Sequence, residues 1–204
     1  MKKLSLIVAG LVATITIYFV LSASTQTITN YPSSGTTIVA FGDSLVEGVG
    51  STNGNDFVSQ LSRKVDVPIV NLGKRGDTTR DARGRLNDVL ESNPKIVLLL
   101  LGGNDYLQKI PKEETFSNLG FIIESIHESG AIVIILGVRG GVLKDNFKSD
   151  FMKLSKNYGT AHIPNVLDGL IGHPELMSDS IHPNDFGYKI IAERVSPILS
   201  SLLK

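Results

Sequence analysis

The stretch TTIVAFGDSLVEG, residues 36–48, changes character halfway along. Thr36 to Phe41 is β-branched and apolar, the composition of a short strand buried on both faces. Beyond Gly42 and Asp43 the pattern becomes that of a helix start. Ser44 is followed three residues later by Glu47, the form of a capping box, in which the hydroxyl only accepts a backbone N–H. The same place, at the carboxyl end of a strand, is where open α/β sheets bind ligands. Ser44 is therefore either a cap or a nucleophile, and the rest of the chain must decide.

Four more segments have the same buried-strand composition: VPIVNL (67–72), KIVLLLLG (95–102), AIVIILG (131–137) and the weaker TAHIPN (160–165). Between them the apolar residues recur at helical spacing. Phe57, Leu61 and Val65 mark the first helix, Leu86, Val89 and Leu90 the second. Leu119, Ile122, Ile123 and Ile126 mark the third, and Phe147, Phe151 and Leu154 the fourth. A long last helix runs from Phe186 through Ile191 and Val195 to Leu202, with Pro197 expected to kink it or to start a second short helix. Strand–helix alternation of this kind implies right-handed crossovers and a parallel sheet covered on both faces. The expected fold is an α/β domain of three layers, α/β/α, over residues 36–204, roughly 170 residues and large enough to bury its own core.

The formal net charge is zero, with 20 basic and 20 acidic residues, so nucleic acid is not an expected partner. The run GKRGDTTRDARGRL concentrates Lys74, Arg75, Arg80, Arg83 and Arg85 against Asp77 and Asp81. It reads as a solvated helix face, with an anionic-substrate or membrane-surface role as the alternative. The chain has no cysteine, which removes disulfides, thiol nucleophiles and cysteine metal sites together. At the N-terminus, Lys2 and Lys3 precede an apolar stretch from Leu4 to Leu21. Residues 1–21 are thus expected to be a signal peptide or an uncleaved membrane anchor, either of which exports the domain. Membrane contact would then run through this segment. SASTQTITNYPSSG, residues 22–35, reads as a linker.

Polar residues gather at the predicted strand ends. Asp43 and Ser44 follow the first strand; Asn71, Gly73, Gly76 and Asp77 follow the second. Gly102, Gly103, Asn104 and Asp105 follow the third, Arg139 follows the fourth, and MSDSIHPND precedes the last helix. Acyl transfer needs a serine activated by an imidazole, itself held in one tautomer by a carboxylate. Asp179 and His182, three residues apart, can meet within one turn and leave Nε2 pointing outward. Pro183 biases His182 away from helical backbone. The other histidines fit less well. His127 is expected at a helix surface, His162 in or beside the weak strand, and His173 has Leu170, no acid, three residues before it. Oxyanion donors would be the Ser44 N–H, a backbone N–H at a glycine turn such as Gly76, and the Asn104 amide. Asp43 and Asp105 read as organisers of loop backbone, and Glu47 as support for the first turn after Ser44.

FGDSLVEG, NLGKRGDTT, LLGGND and DSIHPN resemble, in order and context, the four signature blocks of the GDSL or SGNH hydrolase superfamily, and above all its secreted bacterial arylesterase, lysophospholipase and thioesterase branch. The resemblance spans nearly all of residues 38–190. It implies a flavodoxin-like five-stranded parallel sheet of order 2-1-3-4-5 and a serine esterase with no cofactor and no metal. It makes Ser44 the nucleophile and Asp179 and His182 its acid and base. It makes Gly76, rather than Gly73, and Asn104 the oxyanion donors beside the Ser44 N–H. The implied substrate is a small ester or lipid: an aryl ester, a lysophospholipid or an acyl-thioester, with an O-acetylated carbohydrate as the alternative. Arg139, in the loop GVRGGVLKDN, is a candidate substrate contact. Two readings of other classes compete. Asp43, Asn104, Asp105, Asp179 and His182 could ligate two hard cations in a metal-dependent phosphoesterase. A non-catalytic carbohydrate- or lipid-binding module could use the same fold.

Overall fold

The computed structural model describes residues 27–140 and 147–204. The signal or anchor expected over residues 1–21 lies outside them, as do the first residues of the linker and most of the loop after Arg139. Among the described residues no helix is long and apolar enough to cross a membrane.

Five strands form one parallel sheet in the order β2-β1-β3-β4-β5. They are β1 (Thr37–Gly42), β2 (Ile69–Gly73), β3 (Pro94–Leu100), β4 (Ile132–Leu136) and β5 (Ala161–Ile163). Each falls within two residues of its sequence-read position. The middle strands carry the core: Val39, Leu98 and Ile134 are fully buried. β2 departs from the expected burial, because an edge strand has a neighbour on one side only. Its Val70 and Asn71 stand exposed.

Eight α-helices cover the described sheet: α1 (Ser44–Glu47), α2 (Phe57–Val65), α3 (Thr79–Gly84), α4 (Leu86–Leu90), α5 (Gly103–Leu107), α6 (Lys112–Glu128), α7 (Lys148–Tyr158) and α8 (Asp185–Leu202). α2 packs on α8, while α6 packs on α3, α4 and α7. The crossover from β1 leads outward to β2, and the later ones run the other way, so right-handed connections place these two groups on opposite faces. The expected second helix is broken in two at Arg85, and α5 had no periodic signal because it is only five residues long. α8 runs through Pro197 as one helix, so no second helix starts there.

The sequence reversal between β1 and β3 opens a crevice beyond their carboxyl ends. Ser44 stands immediately beyond β1 and Asn104 beyond β3. At the opposite edge the chain enters the domain already fastened, so residues 29–35 behave as part of it. Thr29 donates through N and Oγ1 to the carbonyls of Gly159 and Tyr158, both at 2.8 Å. The Asn30 amide donates to the carbonyls of His127 and Ala131, and Ser33 to that of Gly130.

Candidate active site

β1 ends where the chain must turn sharply. Gly42 lies against β3, and a Cβ there would sit 2.2 Å from the Leu100 carbonyl oxygen. Asp43 takes extended backbone and its carboxylate accepts the Leu45 N–H at 3.0 Å, so Asp43, not Ser44, is the helix cap. The Ser44–Glu47 capping box does not form. Glu47 reaches sideways to the Arg75 N–H instead, stapling α1 to the β2 loop. Gly73 permits that approach, since a Cβ would fall 2.0 Å from the Glu47 nitrogen. With the capping duty moved to Asp43, Ser44 is the first helical residue and its hydroxyl is free for another partner.

That partner is His182. Its Nε2 lies 3.0 Å from Ser44 Oγ, and its Nδ1 lies 2.7 Å from Asp179 Oδ2. In the Nδ1–H tautomer the ring donates to Asp179 and accepts from the serine. Asp179 Oδ1 accepts the N–H groups of Ile181 and His182, each at 2.8 Å. The His182 bond, then these backbone bonds, hold the Asp179 carboxyl down at about 2. The turn carrying both residues is pinned by a Met177–Pro183 bridge and by Ser178 N–H donating to the His182 carbonyl. Asn184 then caps α8, and Asp185 accepts from Thr52 and Asn55 in the loop between α1 and α2.

On the other side of Ser44, the Asn104 amide donates to the Asp77 carbonyl at 2.9 Å. Asp105 is fully buried and accepts the N–H and hydroxyl of Thr79 at 2.9 and 2.5 Å. Thr78 and Asp81 form the capping box that Ser44 and Glu47 do not. The Asp43 carboxyl is pushed up to about 7, chiefly by burial, with the carboxylates of Asp105 and Asp77 adding to the Leu45-opposed rise. Asp43 and Asp105 thus organise backbone, as read.

Ser44, Asn104, His182 and Arg139 line one cavity of about 210 Å³. Its wall is mostly apolar, with Leu45, Val138 and Leu167 inside and the exposed Tyr106, Leu107, Ile171 and Ile181 at the mouth. Asp179 stands behind His182. Gly76 does not line the cavity. It occupies the left-handed position (φ +83) of the Lys74–Asp77 turn, next to the carbonyl that holds Asn104. The basic run is not merely a solvated face. Arg80 pairs with Glu114 and Arg83 bonds Asn118, but Arg85 is turned inward onto Asp77. Nothing in the pattern of charges marked Arg85. Asp43 was legible as a cap, since Asp is a preferred residue immediately before a helix.

His127 and His162 are half-buried, each with an Nε2 that has no partner, and burial lowers both. His127 is thus less exposed than expected, and His162 stacks on Phe151. His173 pairs with Glu175 at the surface, away from Ser44. Among the described residues no group of three or more His, Asp or Glu side chains is arranged to hold a metal ion.

A family model described as the GDSL-like lipase/acylhydrolase family matches residues 40–190. The chain is 31% identical over 192 residues to an arylesterase of Vibrio mimicus, covering 88% of this chain and 92% of the relative. It is 27% identical over 176 residues to thioesterase 1/protease 1/lysophospholipase L1 of Escherichia coli K12, covering 82% and 85%. The crystal structure of TesA superposes with a TM-score of 0.77 at 27% identity, covering 82% of this chain and 99% of that one.

Proposed function

The chain belongs to the GDSL-like lipase/acylhydrolase family and is an esterase-type hydrolase; from that premise we propose that it cleaves carboxylic esters through Ser44, His182 and Asp179. The observation that carries this reading is the continuous relay from Asp179 Oδ2 to His182 to Ser44 Oγ, at 2.7 and 3.0 Å, opening into an apolar cavity.

Ser44 Oγ attacks the ester carbonyl carbon while its proton passes to His182 Nε2. Asp179 stays ionised and steadies the imidazolium. The carbonyl oxygen becomes an oxyanion, met by the Ser44 N–H at the start of α1 and by the Asn104 amide, while Gly76, outside the cavity, shapes the turn that holds Asn104. The C–O or C–S bond to the leaving group breaks, and His182 returns the proton to it. Water then attacks the acyl-serine, again giving its proton to His182, and the acid departs with Ser44 regenerated.

The substrate is an ester or thioester with an apolar acyl group. The cavity is smaller than the roughly 300 Å³ at which drug-sized ligand sites begin. A short acyl chain therefore fits inside, and a longer one would leave across Tyr106, Leu107, Ile171 and Ile181. Arg139 at the mouth would meet an anionic leaving group such as a phosphate. The N-terminal sequence supports export, with the domain acting outside the cytoplasmic membrane. A rate series over p-nitrophenyl esters of rising chain length, run beside a lysophospholipid and an acyl-thioester, tests the assignment. Hydrolysis surviving in Ser44→Ala, or abolished by a chelator and restored by metal, would refute it.

A further inference from the structure

Arg85 occupies an unusual place for a residue in a basic run. It ends α3 and begins α4, with backbone at φ −122 and ψ 22 that belongs to neither helix. This break aims its side chain back over the carboxyl edge of the sheet, where only 16% of it is exposed. The guanidinium then spends three nitrogens on three different segments. Nε donates to Asp77 Oδ2 at 2.5 Å, Nη1 to the Leu72 carbonyl at 2.9 Å, and Nη2 to the Gly42 carbonyl at 2.8 Å. Its Cζ also lies 4.5 Å from the centroid of the Phe41 ring.

Each acceptor matters to the site. Gly42 is two residues before Ser44 and fixes where the nucleophile turn leaves β1. Leu72 is one residue before Gly73, the β2 partner of Gly42, and the Gly76 turn departs just beyond it. Asp77 presents its carbonyl to the Asn104 amide. One cation therefore binds the origin of the nucleophile, the origin of the glycine turn and the residue that orients the asparagine. It also pairs with Asp77, one of the two carboxylates whose charge adds to the rise at the buried Asp43.

We propose that Arg85 is a positioning residue of the reaction, holding the Asp77 loop, and through it the Asn104 amide, in register with Ser44. The inference rests on the reading of Asn104 as an oxyanion donor. Lysine cannot replace it, because a point charge on a flexible stem cannot reach three acceptors that a planar fork reaches at once.

The test is a double-mutant cycle with steady-state kinetics on p-nitrophenyl butyrate. Arg85→Lys should lower kcat by on the order of 100-fold with KM changed less than about threefold, as expected of a misplaced catalytic group. In an Asn104→Ala background the same substitution should cost less than about threefold more, since the two losses share one cause. Millimolar guanidinium should recover part of the kcat of Arg85→Ala. Losses that multiply, or a raised KM with kcat preserved, would overturn the proposal, as would a wild-type kcat in Arg85→Lys. If Arg85→Ala does not fold, the lysine variant decides alone, its folded fraction counted by thermal unfolding. A wild-type kcat in Asn104→Ala would instead remove the oxyanion reading on which the proposal stands, and activity in Ser44→Ala would remove the serine mechanism itself.

Discussion

The two sides of Ser44 are built in opposite ways. On the side of the proposed oxyanion donors, Asn104, Asp105, Asp77 and Arg85 are tied by side-chain bonds across three loops, and Asp77 and Asp105 are buried. On the base side, Asp179 and His182 share a single tight turn, and half of the Asp179 side chain is open to solvent. The difference matches what the proposed mechanism asks of each side. Oxyanion donors must be aimed before charge develops, and preorganisation comes from over-determined, buried contacts. The imidazole must accept a proton, carry it and release it to a leaving group, which a local turn with water access allows. Rigidity is therefore spent on one side and proton traffic on the other.

Removing the groups that react should give the largest effects. Ser44→Ala and His182→Ala are expected to lower kcat by about 10⁴- to 10⁶-fold with the fold retained, measured on p-nitrophenyl esters with circular dichroism as the control. Next comes Asp179→Asn, which should cost on the order of 10³-fold by presenting the wrong tautomer of His182. A loss as small as that of a surface substitution would show that solvent does the work of the carboxylate on this open side. Because its bond to His182 holds the Asp179 carboxyl down at about 2, acidification to pH 4 should leave Asp179 ionised, and no activity lost above pH 4 should trace to this carboxyl. On the buried side, Asn104→Ala should lower kcat by about 100- to 1,000-fold; a fall below about fivefold would remove Asn104 from the oxyanion role.

The smallest effect concerns stability. Asp43 has a folded-state value of about 7 against an ordinary 3.8. The native state thus keeps a proton that the unfolded chain loses over this window. Unfolding releases it, so Asp43 lowers stability as pH rises from about 4 to about 7, and contributes no slope above that. Asn at this position can still cap α1. Urea titrations should therefore show the advantage of Asp43→Asn over wild type growing between pH 4 and pH 7. A constant difference would mean that burial does not disfavour the Asp43 carboxylate.

The contrast between the two sides also governs what could be read from sequence. The sheet was legible because β1, β3 and β4 are continuous apolar runs, and four of the five helices marked by periodicity carry a repeating apolar face. The base side was legible for the same local reason: Asp179, His182 and Pro183 lie within five residues, and their spacing alone limits the geometry. The oxyanion side was only partly so. Asn104 and Gly76 could be named from their blocks, but the bonds that aim them cross from residue 42 to 72, 77, 85 and 104, and no periodicity records such contacts. Ser44 shows the limit most clearly. Its spacing to Glu47 suggested a cap; the local bond of Asp43 to the Leu45 N–H and the tertiary pairing of Glu47 with Arg75 took that duty away. Local pattern proposed two roles for one hydroxyl, and packing removed the capping one.

The central claim is that Ser44 is the nucleophile. The most direct measurement is the intact mass of the protein, with peptide mapping, after exposure to an alkyl p-nitrophenyl phosphonate. One phosphonyl group on Ser44, with stoichiometric loss of esterase activity and no adduct in Ser44→Ala or His182→Ala, is the expected result. Full inactivation without an adduct on Ser44, or an adduct that forms equally well in His182→Ala, would contradict it.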